Sequence, residues 1–479
     1  MEGLRKLLGN SFSLLLNRLT QSITTFILVA SIARILGAYE LGQYMLAFSY
    51  YYVFMTLASQ GFKTLFTREI SRNPAQISAY LISGTFLQLL FSIAGYIVLA
   101  LIVYFLPYSQ DTSIVCCILG LAVIPFSLSN VTEAIFQAEE KMHLITISTV
   151  PIYVMRLLVM VWAMNLNHNI SIVAAIMVAS ELLIFLIEWC LVAHFIKYKW
   201  QLDWKFMWET TKASGSFIVI EGISVLGYRI QVFILSLLGG ELVVGLYGAV
   251  TQLMQPFQII SHSLVLAVFP RMSKAIDSGK DSQRQISQIT IEILLIVALP
   301  LIVGLGFVGK DLLVLLYHDP SFAEAQLALN IFSLGLIASS FVRPLSYLLV
   351  ANGFEEVNLK QVFITTTLDV LLSIILVSHY KLNGAASTVI FTDFVALFIY
   401  VFEVNRRLFQ LDFLSIISRP LIVSIFMVGV LLILQQFNLN IILVLLISTL
   451  SYFLFVGSVG IYTVYTSNYE WGKLLLRRK

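Results

Sequence analysis

Charged residues are scarce in this 479-residue chain, where Asp, Glu, Lys and Arg together make up 11% against 59% hydrophobic residues. A water-soluble globule of this size needs far more polar surface. With a mean hydropathy of +0.92, most of the protein surface must face lipid. The net charge of +3 is small and dispersed, and no basic stretch alternates with aromatic residues. The composition therefore excludes a nucleic-acid partner.

Cysteine and catalytic motifs are also nearly absent. Cys116, Cys117 and Cys190 all lie in apolar segments and lack the spacing of zinc ligands. The chain has no phosphate-binding loop, no His-Glu-x-x-His, no Gly-x-Ser-x-Gly and no metal-spaced acidic pair in a loop. The sequence predicts neither an enzyme nor a cofactor, and a coupling ion, H⁺ or Na⁺, is the only small ligand expected.

Apolar runs of the length that crosses a bilayer, about 20 residues, recur along the whole chain. Arg5 and Lys6 precede the first apolar run, as basic residues do in a signal peptide. Arg18 inside the run and the length of the run favour a retained span instead. We expect an all-α polytopic membrane protein with about fourteen transmembrane helices. The predicted spans lie near residues 11–36, 41–60, 76–106, 112–138, 143–165, 170–196, 214–238, 241–270, 285–308, 321–351, 357–378, 384–405, 418–437 and 438–466.

The lysines and arginines of the predicted loops lie almost entirely on one side of the membrane. Lys63 and the basic tail from Lys473 to Lys479 are assigned to this side, and only Lys310 and Lys381 lie opposite. Because such residues concentrate in cytoplasmic loops, both termini are predicted to be cytoplasmic. We expect the protein in the cell (inner or plasma) membrane. The outer connections are too short for a catalytic domain.

A block of sequence near the N-terminus recurs in the second half. Gly42–Tyr44 matches Gly245–Tyr247, and Arg68 matches Arg271 at the same spacing. The copies are an even number of spans apart, so they are parallel repeats, although chance matches between common residues are the alternative. Parallel repeats favour two pseudo-symmetric six-helix lobes around a central cavity.

These repeats set the predicted domain boundaries. Residues 1–200 form an N-terminal six-helix lobe and residues 201–410 form a C-terminal six-helix lobe. Residues 411–479 add two transmembrane helices and a cytoplasmic basic tail.

Lys360 and Arg419 lie close to the ends of predicted spans and count with the loops; the other basic residues inside the predicted spans are all arginines. Arg34 lies near the outer end of its span and can reach the interface. Arg18, Arg156, Arg229 and Arg343 lie well inside, where each costs about 2.5–3.5 kcal/mol to insert. The planar guanidinium matches phosphate or carboxylate with two hydrogen bonds. These four arginines are therefore the predicted binding residues for an anionic substrate.

Acidic residues also lie in the spans, and they leave two alternatives open. Each arginine could simply pair with an acid and join two helices, or an acid could carry a coupling ion. The predicted ion-coupling residues are Glu221, Asp369 and Asp393. Glu221 lies two turns before Arg229 on one helix face. The candidates for arginine pairing are Glu133, Glu181, Glu188, Glu221, Asp369 and Asp393.

Over essentially its whole length the chain resembles Wzx-type polysaccharide (O-antigen) flippases of the multidrug/oligosaccharidyl-lipid/polysaccharide exporter superfamily. The resemblance rests on Asn17-Arg18, Ala33–Gly37, Gly42–Tyr44, Gly61-Phe62 and Thr67–Glu69, and in the second half on Gly245–Tyr247 and Phe269–Arg271. These motifs support the fold strongly and the substrate weakly.

The resemblance implies a flippase for lipopolysaccharide or exopolysaccharide synthesis. Such a protein moves a polyprenyl-pyrophosphate-linked oligosaccharide from the cytoplasmic to the outer leaflet by alternating access, coupled to a cation. Arg18, Arg156, Arg229 and Arg343 would hold the pyrophosphate. The implied partners are this lipid-linked glycan, membrane lipids, and a glycan polymerase or glycosyltransferases.

Three other functions remain in competition. A cation-coupled drug or metabolite antiporter shares the superfamily, but cationic drugs are drawn to acids rather than arginines. A lipid II flippase has the same span number and membrane arginines. A membrane enzyme of glycan assembly needs a sizeable outer loop, which the sequence lacks.

Overall fold

A computed structural model describes residues 2–166, 169–195, 202–437 and 439–466; the basic tail Lys473–Lys479 lies outside them. These residues form helices joined by short turns, with no strand among them, which confirms the all-α prediction. The α-helices are α1 (Glu2–Ile35), α2 (Ala38–Met55), α3 (Gly61–Arg72), α4 (Ile77–Ala79), α5 (Thr85–Phe105), α6 (Gln110–Gly120), α7 (Val123–Ala138), α8 (Met142–Asn165), α9 (Ile170–Phe195), α10 (Trp204–Leu238), α11 (Glu241–Lys274), α12 (Lys280–Tyr317), α13 (Gln326–Ala351), α14 (Glu355–Arg407), α15 (Phe413–Gln435) and α16 (Ile441–Thr466).

Twelve helical segments in the described part of the chain are long and apolar enough to cross a membrane. One of them, α14, is two helices joined at Lys381, whose φ of 46° and ψ of −118° are not helical. Its two halves are the predicted spans 357–378 and 384–405. The predicted span 41–60 is α2 followed by a π-helical turn, Thr56–Gln60. The multi-pass fold is thus confirmed.

Large apolar side chains project outward from these helices. Leu158, Phe363 and Leu454 are 64%, 74% and 72% exposed. Each such side chain would cost about 1.5–3 kcal/mol if it faced water instead of an apolar medium. The exposed apolar surface is therefore suited to contact with lipid.

The chain divides into two compact units, Met1–Gln252 and Leu253–Lys479. In the first unit, α10 packs against α2 and α3. A methyl group on Gly61 of α3 would lie 2.8 Å from the backbone nitrogen of Ile218, so the two backbones nearly touch. The lobe boundaries at 200/201 and 410/411, which come from the repeat, remain predictions.

The core of the first unit is aromatic and lies beside the π-helical turns. Phe62 and Phe66 of α3 are fully buried, and so is Phe136 of α7. The ring of Tyr80, in the π-helical turn before α5, lies 5.0 Å from that of Phe66. This rigid core sets the position of the neighbouring polar faces of α3 and α7.

The second unit packs α13 against α12 and α14, and α15 against α12 and α16. Its central cluster includes Phe341, Leu345 and Leu348 of α13, all nearly inaccessible. A second cluster, around Met427 and Leu431 of α15, joins α15 to α12 and α16.

Two equivalent glycines of the internal repeat contact each other's helices within the first unit. A methyl group on Gly42 would lie 1.7 Å from the carbonyl oxygen of Glu241, and one on Gly245 would lie 1.8 Å from that of Ala38. Ala38 and Glu241 are themselves equivalent in the repeat. The contact is therefore reciprocal, as in a two-fold interface, and it supports the repeat read from the sequence.

Replacing Gly42 by Ala should destabilise the protein, because no side chain fits where α2 crosses the start of α11. Overpacking of this kind costs about 1–3 kcal/mol. The expected result is a lower melting temperature of the purified protein. Gly306→Ala on α12 is the matched control: no heavy atom lies within 4 Å of its added methyl group, and Ala favours a helix by about 1 kcal/mol over Gly. Equal melting of the two variants would contradict the close crossing.

Candidate functional site

The first unit contains a cavity of about 400 Å³. Its walls come from α1, α2, α3, α7, α8 and α9, and its volume is in the range of small-molecule sites. Most of its side chains carry polar or aromatic groups. The polar and aromatic lining residues are Asn17, Arg18, Gln21, Thr24, Thr25, Tyr44, Phe48, Tyr51, Tyr52, Gln60, Lys63, Phe126, Glu133, Gln137, Tyr153, Arg156 and Glu181.

Helix α1 supplies a polar stripe to this cavity. Asn17, Gln21 and Thr24 follow one another at intervals of three or four residues, which places them on one helix face. Arg18 lies beside them and is exposed. Within the residues that the structure describes, Arg18 forms no ion pair. It is therefore a cation with its charge available to a ligand.

Arg156 enters the same cavity but is already neutralised. Its Nη1 lies 2.8 Å from Oε1 of Glu181 on α9, and both side chains are less than a tenth exposed. Nη1 also lies 3.4 Å from Ser180 Oγ, and the guanidinium carbon lies 4.9 Å from the centre of the Tyr153 ring. For this arginine, pairing with an acid of a neighbouring span is what the structure shows.

Lys63 lines the cavity, although the charge pattern of the sequence predicts it in a cytoplasmic loop. It lies in α3 and forms an ion pair with Glu133 of α7. The apolar positions Phe62, Leu65 and Phe66 repeat with helical spacing, so the sequence held a signal that a helix continued past the predicted span. With this pair and Arg156–Glu181 both neutral, Arg18 gives the cavity a positive excess.

Aromatic rings form the wall that α2 presents to the cavity. Tyr44, Phe48, Tyr51 and Tyr52 lie within nine residues and all line it. Their faces offer weakly negative surfaces that attract cations and pack against sugar rings.

Arg229 of α10 packs on this aromatic wall. Its guanidinium carbon lies 4.8 Å from the Tyr52 ring centre, 5.6 Å from that of Phe48 and 5.2 Å from that of Tyr228. The side chain is half-buried, and its Nε has no hydrogen-bond partner among the described residues. Cation–π contacts thus stabilise Arg229 without an opposite charge, which leaves its positive charge uncancelled.

Of the other predicted residues, Glu221 belongs to the first unit and Arg343 to the second. Glu221 of α10 is exposed and does not line the cavity. Arg343 belongs to α13 in the second unit, where its Nη2 donates a hydrogen bond of 2.8 Å to Oε1 of Gln258. The structure therefore brings together Arg18 and Arg156, with Arg229 on the wall residues of α2.

Asp369 and Asp393 lie on the two halves of α14, in the second unit. The two carboxylates act on each other electrostatically. Oδ1 of Asp369 is buried, and it has no hydrogen-bond partner among the described residues. A methyl group on Gly335 of α13 would lie 2.9 Å from Oδ2 of Asp393, so a larger side chain there would displace this carboxylate. Two interacting acids, one of which has an oxygen without a hydrogen-bond partner among the described residues, are suited to a small cation.

Comparison with known proteins agrees with this architecture. The family model described as polysaccharide biosynthesis protein matches residues 7–276. The capsular polysaccharide biosynthesis protein CapF of Staphylococcus aureus is 23% identical over 314 residues, which cover 65% of this chain and 78% of that protein.

Solved structures show the same fold. The lipid II flippase MurJ, in an inward closed conformation, gives a TM-score of 0.76 at 15% identity and covers 95% of this chain and 99% of its own. An inward-facing multidrug resistance MATE family transporter of the MOP superfamily gives 0.64 at 14% identity, covering 82% and 94%. At such identities the likeness concerns the fold alone.

Glu181→Gln should destabilise the protein, because it leaves the buried Arg156 charged and without its partner. Breaking a buried pair in this way costs about 3–5 kcal/mol, which should appear as a lower melting temperature. The double variant Arg156→Met, Glu181→Leu removes both charges and should recover most of the loss.

The exposed pair of Lys205 and Glu209 on α10, 4.0 Å apart, provides the control. Glu209→Gln should cost less than about 1 kcal/mol. If Glu181→Gln had the same melting temperature as the wild type, Arg156 would not need Glu181 for its stability and would be available to a ligand.

Proposed function

Because the chain belongs to the polysaccharide biosynthesis protein family, we propose that it flips polyprenyl-pyrophosphate-linked oligosaccharides from the cytoplasmic to the outer leaflet. The resemblance to polysaccharide flippases in the sequence is confirmed by this family match. Transport takes place by alternating access, in which a bound substrate is exposed to one side of the membrane at a time.

The observation that carries this proposal is the uncancelled positive charge of the cavity. Arg18 lines it without an ion pair in the described chain, whereas Arg156 and Lys63 are held by Glu181 and Glu133. A pyrophosphate brings the opposite charge, and the guanidinium of Arg18 can donate two parallel hydrogen bonds to it. A cationic drug would meet net repulsion at the same place.

Arg229 is the second phosphate ligand of this proposal. Its contacts with the Tyr52 and Phe48 rings restrict the guanidinium, so less conformational freedom is lost when it binds an anion. The unoccupied Nε hydrogen supplies a donor. Arg156 acts instead by positioning the cavity wall through Glu181.

The tyrosines of α2 would hold the first sugars. Sugar rings stack on aromatic faces through their C–H groups, while hydroxyls bond to polar side chains. Tyr44, Tyr51 and Tyr52 line the cavity beside Asn17 and Gln21 of α1. The polyprenyl tail would stay in lipid, because burying it in a polar cavity gains nothing.

A coupling ion, H⁺ or Na⁺, would bind at Asp369 and Asp393. Their mutual repulsion and the unpartnered oxygen of Asp369 make a bound cation favourable. Glu221, the third predicted ion-coupling residue, is exposed on α10 in the first unit, and its role stays a prediction. The protein would work in the plasma or inner membrane with both termini in the cytoplasm, beside glycosyltransferases or a glycan polymerase.

Arg18→Ala should abolish most glycan export in a host depleted of its own copy. Losing hydrogen bonds to a charged group costs about 1.5–3 kcal/mol, which is about 10- to 100-fold in affinity. We expect lipid-linked oligosaccharide to accumulate on the cytoplasmic leaflet and surface glycan to fall, at normal protein levels. Arg18→Lys should keep part of the activity, because lysine retains the charge but not the planar fork.

Arg72→Ala is the matched control, since Arg72 is 69% exposed and bonds only weakly to Glu69 at 3.6 Å. It should leave export unchanged. If depletion changed neither glycan pool but made cells sensitive to drugs, the protein would be an antiporter. Accumulation of lipid II in place of an oligosaccharide intermediate would identify a lipid II flippase.

Asp369→Asn should uncouple flipping from the ion gradient. In liposomes containing the purified protein, wild-type flipping should accelerate when an inward H⁺ or Na⁺ gradient is applied, and the variant should not respond because one ion ligand is lost. Asp412→Asn, at the start of α15, is the control and should respond normally. A gradient response retained in Asp369→Asn would remove this residue from the ion site.

A further inference from the structure

Glu188 of α9 is a fully buried carboxyl group, 0% exposed, behind the cavity of the first unit. Among the described residues no Lys, Arg or His lies within ion-pair distance of it, in contrast to Glu133 and Glu181, which each hold a cation. A buried carboxylate without an ion pair is very costly, and such groups usually take up a proton.

The hydrogen-bond geometry around Glu188 also indicates a proton. Thr132 Oγ1 lies 2.7 Å from both Glu188 Oε2 and the carbonyl oxygen of Ser129. Ser148 Oγ lies 2.9 Å from both Glu188 Oε1 and the carbonyl oxygen of Ile145. Each hydroxyl has one hydrogen, so the two hydroxyls can donate to only two of these four oxygens. A protonated Glu188 supplies a further hydrogen, donated to one hydroxyl oxygen.

We propose that Glu188 is a proton-binding site whose occupancy controls anion binding in the cavity. The inference deepens the proposed function, since it rests on an anionic substrate in that cavity. Helix α7 connects the two places: Thr132 touches Glu188, and the next residue, Glu133, lines the cavity and holds Lys63.

The coupling follows from the charges that face Glu188. Glu133 and Lys63 act on it electrostatically, and Tyr153 of α8 is affected by it in turn. When Glu188 carries its proton, Lys63 faces one carboxylate. When the proton leaves, Lys63 faces two, and the added negative charge repels an anion in the cavity. Proton and anion therefore bind together, and each strengthens the other equally.

Helices α2 and α6 also pack on α9, and they bring no competing charge to this place. Apart from Glu40 and Asp111 in their first turns, their titratable residues are tyrosines and cysteines. On α9 itself, Glu181 is occupied by Arg156, and Cys190 and His194 follow Glu188 towards the end of the helix. On α8, His143 lies in the first turn. The pH response of the cavity should thus depend chiefly on Glu188.

The first measurement concerns the proton itself. Infrared difference spectra between wild type and Glu188→Gln, with the full chain in lipid nanodiscs at neutral pH, should show the carbonyl stretch of a protonated carboxylic acid that is lost in the variant and shifts in D₂O. Absence of this band would overturn the proposal and leave the flippase function untouched.

The second measurement uses inorganic pyrophosphate as the anion. Because pyrophosphate itself titrates in this range, wild type and Glu188→Gln, which mimics the neutral acid, are compared at each pH. The ratio of wild-type to variant affinity should fall on the order of tenfold from mildly acidic to mildly alkaline pH, because Glu188 loses its proton only in the wild type. A merely structural role would lower affinity at every pH without removing the pH dependence.

Ser148→Ala keeps the proposal testable if Glu188→Gln does not fold. It removes a hydroxyl that can stabilise the ionised carboxylate, so the pH of half-maximal affinity should rise. The same pH dependence in wild type and both variants would overturn the coupling. A wild-type protein with the infrared band and pH-dependent binding but no flipping of lipid-linked oligosaccharide would contradict only the proposed function.

Discussion

An ionic side chain buried inside a lipid-facing bundle must be stabilised by an opposite charge or by a polarisable surface. The buried ionic groups of the first unit are stabilised in different ways. Arg156 and Lys63 are paired with acids. Arg229 lies on aromatic rings, and Glu188 lies among hydroxyls. Only Arg18 faces the cavity with its charge uncancelled among the described residues. In the proposed function, selectivity for anions would depend on these internal compensations rather than on the number of arginines.

The pairing of charges also affects how the site can bind a substrate. A paired cation such as Lys63 binds a substrate phosphate only by giving up part of its bond to Glu133, whereas Arg18 gives up only water. In the proposed function, affinity for the anion would therefore be moderate, since a substrate held too tightly would not leave on the other side.

The sequence was sufficient for the fold and for part of the site. Span positions followed from hydropathy, because each helix must cover its own backbone polar groups in lipid. The cost of burying arginine led to Arg18, Arg156 and Arg229, which the structure places in one unit although the predicted lobe boundary at 200/201 separated Arg229 from the other two; their role in binding stays a prediction. Which arginine had an acidic partner was not predictable, because Arg156 meets Glu181 only through the packing of α8 on α9. Lys63 was missed because hydropathy places helix ends at the first charges, whereas α3 continues through them. The short connection at 379–383 proved to be a break at one residue, Lys381.

The reciprocal contact of Gly42 and Gly245 has a consequence for the origin of the chain. Equivalent residues of two repeats meet at one place, with Ala38 and Glu241 as the exchanged neighbours. Two identical half-length polypeptides dimerising about a two-fold axis would make this same contact, since each glycine would face its own copy. A gene duplication that fused two such polypeptides would retain this contact. After fusion each position diverges by itself, yet neither glycine is free to acquire a side chain while the other's backbone lies against it.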